Sequence, residues 1–212
     1  MKGLVLLKTM ICLVRHGETV WNSNGKFQGH TDVPLSDVGR EQARALALRL
    51  SQEKIDAFYS SDLARARETA EILANPHNKS VGCLSDLREI NFGQWEGLTI
   101  KEISERFGEI ISKWWNDPLS TQIPSGEKLQ DVVIRCNKAL NEIVTKHAGE
   151  TVVIVTHGGA IRTIVASVLG LDLKNYAKLR MDNVSLTILE YYEPGKAILK
   201  LYNDTCHLRC KK

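Results

Sequence analysis

Two short apolar segments, distant along the chain, each run directly into a histidine that is followed by glycine. Residues 10–15 lead into His16, and residues 151–156 lead into His157. Both segments are rich in β-branched and aliphatic side chains, which is typical of a strand buried on both faces of a sheet. In a doubly wound sheet the carboxyl ends of parallel strands meet at one edge, where ligands bind. The repeated pattern therefore predicts an α/β fold, a doubly wound, mostly parallel sheet with helices on both faces, and places both imidazoles in one cleft.

The rest of the chain alternates between strand-like and helix-like patterns. Arg65 falls in the first turn of one predicted helix, beside the end of a strand, where free backbone N–H groups favour an anion. Residues 21–32, rich in glycine and asparagine, are predicted to form a loop. Helices are predicted after Ser36, over residues 61–74, after Thr99, after Ser125 as N-cap and after Gly159, and further strands over 55–60, 81–84, 185–191 and 197–202.

Length and composition indicate one globular unit. The chain has 212 residues, of which 43% are hydrophobic and 25% are charged. This is close to the globular average, and single cores stop growing only at roughly 250–300 residues. Residues 1–212 are therefore predicted to form a single domain, in which residues 1–9 are either disordered or an N-terminal extension. Whether Met1 or Met10 is the natural start stays open.

Charge and cysteine content argue against several classes of protein. The net charge of +3 is small and the basic residues are scattered, so no nucleic-acid partner is predicted. No window approaches the ~18 consecutive apolar residues of a membrane-spanning helix. The five cysteines form no CxxC pair, which is typical of a reducing compartment and predicts a cytoplasmic protein. Cys206, His207 and Cys210 are interpreted as part of an ordinary tail rather than as a metal clip.

Four short motifs occur in order across nearly the whole chain. They are Arg15-His16-Gly17-Glu18-Thr19 with Trp21-Asn22; Ser61-Asp62-Leu63-Ala64-Arg65-Ala66 with Thr69-Ala70; Glu89 before Phe92-Gly93; and Thr156-His157-Gly158-Gly159. Together they resemble the motifs of the histidine phosphatase (phosphoglycerate mutase-like) superfamily. One motif alone would be a weak signal, because Arg-His-Gly arises by chance, but four in register are specific.

The resemblance implies a role for each polar residue. Arg15 and Arg65 would form a cradle for a phosphate dianion, since a guanidinium forks onto phosphate oxygens. His16 would be the nucleophile and form a phosphohistidine, because neighbouring cations keep its imidazole neutral. His157 would donate a hydrogen bond to the phosphoryl oxygens, beside the N–H groups of the glycines that follow it. Glu89 would protonate the leaving oxygen and then deprotonate the attacking water.

The same resemblance predicts substrate-binding residues around this catalytic set. They are Arg15, Asn22, Gln28, Gly29, Arg65, His157 and Gly158. Neither a cofactor nor a metal is expected, because two arginines supply the positive charge and no His-x-His or His-Glu-x-x-His spacing is present.

Some residues keep a second interpretation. Glu96 lies on the same predicted loop as Glu89 and competes with it for the role of acid. Trp114 and Trp115 are either core residues or a platform for the substrate, with equal weight given to the two interpretations. His30 is interpreted as a surface residue of a loop.

The departures from the family pattern favour hydrolysis. Bisphosphoglycerate-dependent mutases carry an added segment with adjacent arginines between the acid and the second histidine, whereas the interval from Glu89 to His157 is short and has no Arg-Arg. Those mutases also tend to have a tyrosine where Phe92 stands. The chain is therefore predicted to be a metal-independent phosphatase of a small phosphomonoester, through a phosphohistidine intermediate.

Two rival functions stay open, as does the substrate. The rivals are a bisphosphoglycerate-dependent phosphoglycerate mutase and a non-catalytic phosphate-binding module. Phosphatases of similar length act on α-ribazole phosphate, on phosphoserine or on many esters, and the sequence does not rank these leaving alcohols or name the cleft residues that select them. An edge strand near the C-terminus leaves a homodimer open.

Overall fold

A computed structural model describes residues 7–209, which form a six-stranded sheet with helices on both faces. The remaining part of the predicted N-terminal extension, residues 1–6, and Cys210 lie outside the described residues. The strands are β1 (Thr9–Arg15), β2 (Ala57–Ser60), β3 (Val81–Cys83), β4 (Thr151–Thr156), β5 (Leu186–Glu193) and β6 (Lys196–Asp204). Thr9 belongs to β1, so the last residue of the extension predicted over residues 1–9 is part of the sheet.

The order of the strands brings the two His-Gly segments together. The sheet runs β3-β2-β4-β1-β5-β6, with β1 to β4 parallel and β5 and β6 antiparallel. β1 and β4 are neighbours at its centre, and Arg15 is in register with Thr156. The residues that follow, His16 and His157, therefore leave the same edge side by side. This confirms the predicted doubly wound, mostly parallel architecture.

Helices cover both faces of the sheet. None of the helices within residues 7–209 is long and apolar enough to cross a membrane. The helices are α1 (Val20–Ser23), α2 (Asp37–Leu50), α3 (Ala64–Ala74), α4 (Ile100–Asn116), α5 (Leu129–Lys146) and α6 (Gly158–Val168).

Alternate side chains of the central strands pack into two separate hydrophobic cores, one on each face of the sheet. Ile11 and Leu13 of β1 pack in a cluster with side chains of α4, α5 and α6, whereas Cys12 and Val14 pack with α2 and α3. Side chains in a strand alternate between faces, so a strand covered on both sides must be apolar throughout. This is why the β1 and β4 sequences are continuous apolar runs.

Two predictions of local structure are wrong. The segment predicted as a loop over residues 21–32 begins with a one-turn helix, α1, which Thr19 and Asn22 close with reciprocal capping bonds. Ser125 does not cap α5, because the helix starts four residues later with Lys128 at the N-cap position. Ser125 instead has a positive φ of 56° and lies in a tight turn in which the Gly126 amide donates to the Ile123 carbonyl.

The tryptophans of α4 separate into one core residue and one surface residue. Trp114 is 1% exposed and packs edge-on against Trp95 and Tyr176. Trp115 is 47% exposed. Neither lines the cleft described below, so the interpretation of Trp114 as a substrate platform is wrong and its role as a core residue is confirmed.

Candidate active site

A polar cleft of about 190 Å³ opens at the carboxyl edge of the sheet, beside the ends of β1 and β2. Most of the predicted site residues line it, together with four residues that were not predicted as binding residues. The predicted residues are Arg15, His16, Asn22, Gln28, Gly29, Arg65 and Glu89, and the added ones are Gly25, Lys26, Phe27 and Phe92. His157 and Gly158 do not line this cleft.

The imidazole of His16 is held in one tautomer by the residue that follows it. Its Nδ1 lies 2.7 Å from the carbonyl oxygen of Gly17. A carbonyl oxygen only accepts, so Nδ1 carries the proton and Nε2 of the neutral ring keeps its lone pair. Nε2 has no protein hydrogen bond within residues 7–209, and the side chain lines the cleft. This leaves an unprotonated nitrogen available to a ligand.

His16 stays neutral because of its surroundings. The side chain is only 3% exposed. Burial first, and then the charges of Arg65 and Arg15, hold the pKa of His16 well below its usual value of 6.5. The site therefore presents a neutral imidazole between cations, which is the form that a nucleophile requires.

His157 lies beside His16, although not on the wall of the cleft. The two ring centroids are 5.1 Å apart and His157 is completely buried. Neither of its ring nitrogens has a hydrogen-bond partner within residues 7–209. Burial, followed by the charge of Arg65, holds the pKa of His157 well below 6.5. The predicted pair of neighbouring imidazoles is thus present in the structure, with the second one deeper than the first.

Arg15, the last residue of β1, is anchored by the far end of the chain. Its Nη1 donates to the carbonyl of Met181 at 2.6 Å, while its buried Nε has no partner within the described residues. Burial lowers the pKa of Arg15 from 12.5 to about 10, so the guanidinium is still charged at neutral pH.

Arg65 reaches the cleft from the first turn of α3, as the sequence predicted. It is 1% exposed. Nη1 donates to the carbonyl of Thr31 at 2.9 Å and Nη2 to that of Gly29 at 2.7 Å, while Nε has no partner within residues 7–209. Burial lowers the pKa of Arg65 from 12.5. Two cationic side chains therefore face one small cleft, one from the end of β1 and the other from the start of α3.

Glu89 places its carboxyl group against the start of α6. Oε2 accepts from the Gly159 amide at 3.1 Å, and Oε1 accepts from the amides of Ala160 at 3.2 Å and Ile90 at 3.0 Å. The free N–H groups of a helix start attract a carboxylate in this way. The Gly159 amide, which the sequence placed near the phosphoryl group, bonds to Glu89 in this structure.

Glu96, the competitor of Glu89, is engaged elsewhere. Its carboxylate accepts from the amides of His30, Thr31 and Phe92 and does not line the cleft. A Cβ at position 29 would overlap Glu96 Oε1, and Gly29 has a φ of +52°. Glu96 thus holds the loop that carries Gln28 and Gly29 against the segment after Glu89.

Three residues support the site without being predicted to do so. Asn183 donates from Nδ2 to the carbonyl of His16 at 3.0 Å and to Asn22 Oδ1 at 3.3 Å. Thr69 accepts the Gly17 amide at 3.0 Å and donates to the carbonyl of Arg65, which links the two halves of the cradle. His30, interpreted as a surface residue, is half-buried and its Nε2 lies 2.9 Å from the Glu89 carbonyl. Thr69 belongs to the second of the four family motifs, whereas nothing in the sequence pointed to Asn183.

Potential metal ligands are dispersed in the described part of the chain. Within residues 7–209, no three side chains of His, Cys, Asp or Glu come together in a group that could hold an ion. Positive charge at the cleft comes from Arg15, Arg65 and Lys26.

Comparison with known proteins agrees with this geometry. The sequence profile described as the histidine phosphatase superfamily (branch 1) matches residues 11–205. The chain belongs to that superfamily. The match spans every side chain assigned to the cleft, and the structure carries both histidines of the family motifs at adjacent strand ends.

Known proteins and solved structures resemble more than nine-tenths of this chain. Phosphoserine phosphatase 1 of Hydrogenobacter thermophilus is 37% identical over 93% of each chain. Phosphoglycerate mutase-like protein 4 of Arabidopsis thaliana is 41% identical, over 93% of this chain and 86% of its own. A crystal structure of a mutant of Entamoeba histolytica phosphoserine phosphatase, in complex with phosphoserine, superposes with a TM-score of 0.84 at 32% identity and covers 94% of this chain and 99% of its own. The protein is therefore a phosphomonoester hydrolase of the histidine phosphatase superfamily.

Proposed function

We propose that this histidine phosphatase hydrolyses a small phosphomonoester without a metal, through a phosphohistidine on Nε2 of His16. The hydrogen bond from Nδ1 to the Gly17 carbonyl carries the proposal, because it leaves the lone pair of Nε2 free at the cleft. Nε2 attacks phosphorus, the bond from phosphorus to the leaving oxygen breaks, and the phosphoryl group is transferred to the ring.

The two arginines bind and orient the phosphoryl group. Arg15 and Arg65 each have one or two N–H groups tied to backbone carbonyls and a buried Nε without a partner in the described chain. Their fixed guanidinium groups need little reorganisation when charge moves onto the phosphoryl oxygens. The Nδ2 of Asn22 also has no protein partner within residues 7–209, and we assign it as a further donor, with Gln28 and Gly29 beside it on the cleft wall.

Glu89 moves the protons. Three backbone amides occupy lone pairs of its carboxyl group, two on Oε1 and one on Oε2, so the remaining direction on Oε2 is the place for a proton. In the first step Glu89 gives this proton to the leaving oxygen. In the second step the carboxylate takes a proton from water, the water oxygen attacks phosphorus, and the bond from phosphorus to Nε2 breaks to release inorganic phosphate.

His157 and Gly158 complete the phosphate end of the site. We assign His157 as a donor to a phosphoryl oxygen, through the N–H of its neutral ring. Gly158 lies next to Arg15, and a Cβ there would make only an ordinary contact, 3.5 Å from Arg15 Nε. Direct contact of Gly158 with the substrate stays a prediction.

A leaving alcohol that carries a carboxylate suits the outer part of the cleft. Lys26 lines it and has no carboxylate within 4 Å in residues 7–209, and Phe27 packs edge-on against Phe92 beside it. The relatives named after phosphoserine support phosphoserine as the first substrate to test. Lys26→Met is expected to raise KM for phosphoserine several-fold and to leave KM for p-nitrophenyl phosphate, which has no carboxylate, unchanged.

The proposed intermediate can be trapped directly. On mixing with ³²P-labelled substrate, the wild-type protein should yield an acid-labile, alkali-stable phosphoenzyme, and His16→Ala should yield neither label nor turnover. His77→Gln, which changes a histidine outside the cleft, is the matched control and should retain both. A His16→Ala protein with wild-type turnover would exclude the proposed nucleophile.

A second assay separates hydrolysis from isomerisation. The relative named phosphoglycerate mutase-like keeps the mutase as an alternative, and it predicts conversion between phosphoglycerates that depends on bisphosphoglycerate. We expect release of inorganic phosphate instead. A complete lack of turnover on a wide panel of phosphomonoesters would favour the non-catalytic module. The cytoplasmic location, the single domain over residues 1–212 and the homodimer stay predictions.

A further inference from the structure

Arg135, in the middle of α5, binds the backbone of the segment that carries Glu89. Its Nη1 donates to the carbonyls of Asp86 at 2.9 Å and Arg88 at 2.7 Å, and its Nη2 donates to that of Glu89 at 2.8 Å. The remaining N–H groups of the guanidinium, on Nε and Nη2, meet the carboxylate of Glu127 at 2.7 and 2.9 Å. All five donors of the guanidinium are thus used.

Glu127 binds the backbone at Asn91, on the other side of Glu89. Its Oε2 accepts the Asn91 amide at 3.2 Å, and its own amide donates to the Asn91 carbonyl at 2.9 Å. We call Arg135 and Glu127 the clamp. The two side chains are each only 16% exposed, so the ion pair is largely removed from water and depends on these additional bonds.

The segment held by the clamp has no sheet or helix of its own. Residues 88–92 lie in neither type of element, so their carbonyls lack the regular partners that a ladder or helix supplies. Arg135 supplies a charged donor to the carbonyl of Glu89 itself, and His30 adds a second donor to the same oxygen at 2.9 Å. The backbone at Glu89 is therefore placed by side chains from two distant parts of the chain.

We infer that Arg135 is a positioning residue for Glu89. It does not line the cleft and touches no reacting group. By fixing the carbonyls on both sides of the Glu89 Cα, it keeps the carboxyl group within reach of both the amides of α6 and the leaving oxygen. Proton transfer requires a distance of about 2.6–3.2 Å, so a displacement of about 1 Å would weaken acid catalysis without removing the nucleophile. The inference rests on the proposed role of Glu89 as acid.

The dependence of the rate on the leaving group separates lost acid catalysis from a general loss of structure, because a general loss would lower the activity on both substrates. Phenyl phosphate needs protonation of its leaving oxygen far more than p-nitrophenyl phosphate does. For Arg135→Met we expect kcat/KM for phenyl phosphate to fall about 10- to 100-fold, and kcat/KM for p-nitrophenyl phosphate to fall less than about threefold, with the phosphoenzyme still formed. Lys138→Met, which removes an exposed cation of the same helix that pairs with Asp86, is the control and should change neither value.

A double variant tests whether Arg135 acts through Glu89. If it does, Glu89→Gln combined with Arg135→Met should be no slower on phenyl phosphate than Glu89→Gln alone, because the effects of residues that act as a unit do not add. Multiplied losses, or equal losses on the two substrates in a folded Arg135→Met protein, would overturn the inference. If Arg135→Met does not fold, Glu127→Gln weakens the same clamp and takes its place. Multiplied losses with Glu89→Gln, or equal losses on the two substrates, would then overturn the inference.

The same experiment keeps the two proposals apart. If Glu89→Gln itself affects both substrates equally, Glu89 is not the acid and the proposed function is revised. If Glu89→Gln shows the leaving-group dependence and both clamp variants lack it, the role of Glu89 stands and the positioning role of Arg135 is wrong.

Discussion

Glu89 and Gly159, 70 residues apart in sequence, are joined by a hydrogen bond of 3.1 Å from the Gly159 amide to Glu89 Oε2. The approach is possible only because residue 159 has no side chain, since a Cβ there would overlap Glu89 Oε1 and lie 2.8 Å from Ile90 Cδ1. Glycine lowers the stability of a helix, and its presence in the first turn of α6 allows the carboxyl group to reach the helix start.

Gly159→Ala is expected to displace Glu89 rather than to unfold the protein. Because the overlapping atom belongs to the end of a side chain, Glu89 can turn away, and acid catalysis should then be lost on the order of 10²-fold for phenyl phosphate. Steady-state kinetics on phenyl and p-nitrophenyl phosphate should show a much smaller loss for the second substrate.

Gly108→Ala is the matched control for this substitution. Gly108 lies in α4, and a Cβ there meets nothing within 4 Å. Because α4 is broken at the preceding residue, Phe107 (φ −134°, ψ 32°), Gly108 lies apart from the catalytic contacts at a bend in the helix, and this variant should keep both activities. Full activity of Gly159→Ala on phenyl phosphate would contradict the assignment of Glu89.

The parts of the site that could be predicted from sequence are those whose signals are local. β1 and β4 are continuous apolar runs, so their neighbouring positions and the pairing of His16 with His157 followed from the rules for parallel sheets. Arg65 was placed correctly because helix periodicity put it in a first turn. The catalytic roles came from the family motifs and not from these patterns.

The supporting residues could not be predicted because they depend on contacts between distant segments. Asn183 bonds to the carbonyl of His16 across 167 residues, and no periodicity marks such a pair. Arg135 looks like an ordinary helix arginine until its helix is packed against residues 86–89. Ser125 is a good N-cap by residue type, but the contacts of the turn gave it a positive φ and moved the helix start. By contrast, the spacing of Thr19 and Asn22 is that of a capping box and could have revealed α1.

The neutral histidines make stability depend on pH. His16 and His157 have pKa values well below 6.5 in the folded protein, so below pH 6.5 the unfolded chain binds protons that the folded one does not. Stability is therefore fully present well above pH 6.5 and falls as the pH falls below it. The free energy of unfolding should accordingly be lower at pH 5.5 than at pH 7.5.

Urea unfolding at the two pH values checks this. The double variant His16→Gln, His157→Gln should lose markedly less stability than the wild type over the same interval. Contributions from His77 and His207, whose pKa values burial also lowers, are common to both proteins and cancel. Equal losses in the two proteins would show that these imidazoles are not held neutral.

The cysteines should differ sharply in reactivity. Cys12 and Cys136 are buried, and burial raises the pKa of Cys12 to about 11 and that of Cys136 to about 12. Cys83 is exposed. Because the thiolate is the reactive species, iodoacetamide at pH 8 should alkylate Cys83 in the native protein and label Cys12 and Cys136 only after denaturation. Peptide mapping by mass spectrometry reads out each site, and rapid native labelling of Cys136 would contradict the packing of α5.

Trp114 and Trp115, which are neighbours in α4, allow the effects of removing a buried and an exposed tryptophan on stability to be compared. Trp114 is 1% exposed and contacts Trp95 and Tyr176, whereas Trp115 is 47% exposed. Removing a buried tryptophan side chain costs about 3–5 kcal/mol because it leaves a cavity, so Trp114→Ala should lower the free energy of unfolding by that amount. Trp115→Ala, the matched control, should change it by less than about 1 kcal/mol.

Kinetics on the same two proteins separate packing from substrate binding. Neither tryptophan lines the cleft, so at temperatures where Trp114→Ala is folded, its KM for the best substrate should stay within about twofold of the wild-type value. A large rise in KM with little loss of stability would instead restore Trp114 as a substrate platform. The expected opposite result, lost stability with unchanged KM, follows from the edge-on contacts that place its ring between Trp95 and Tyr176.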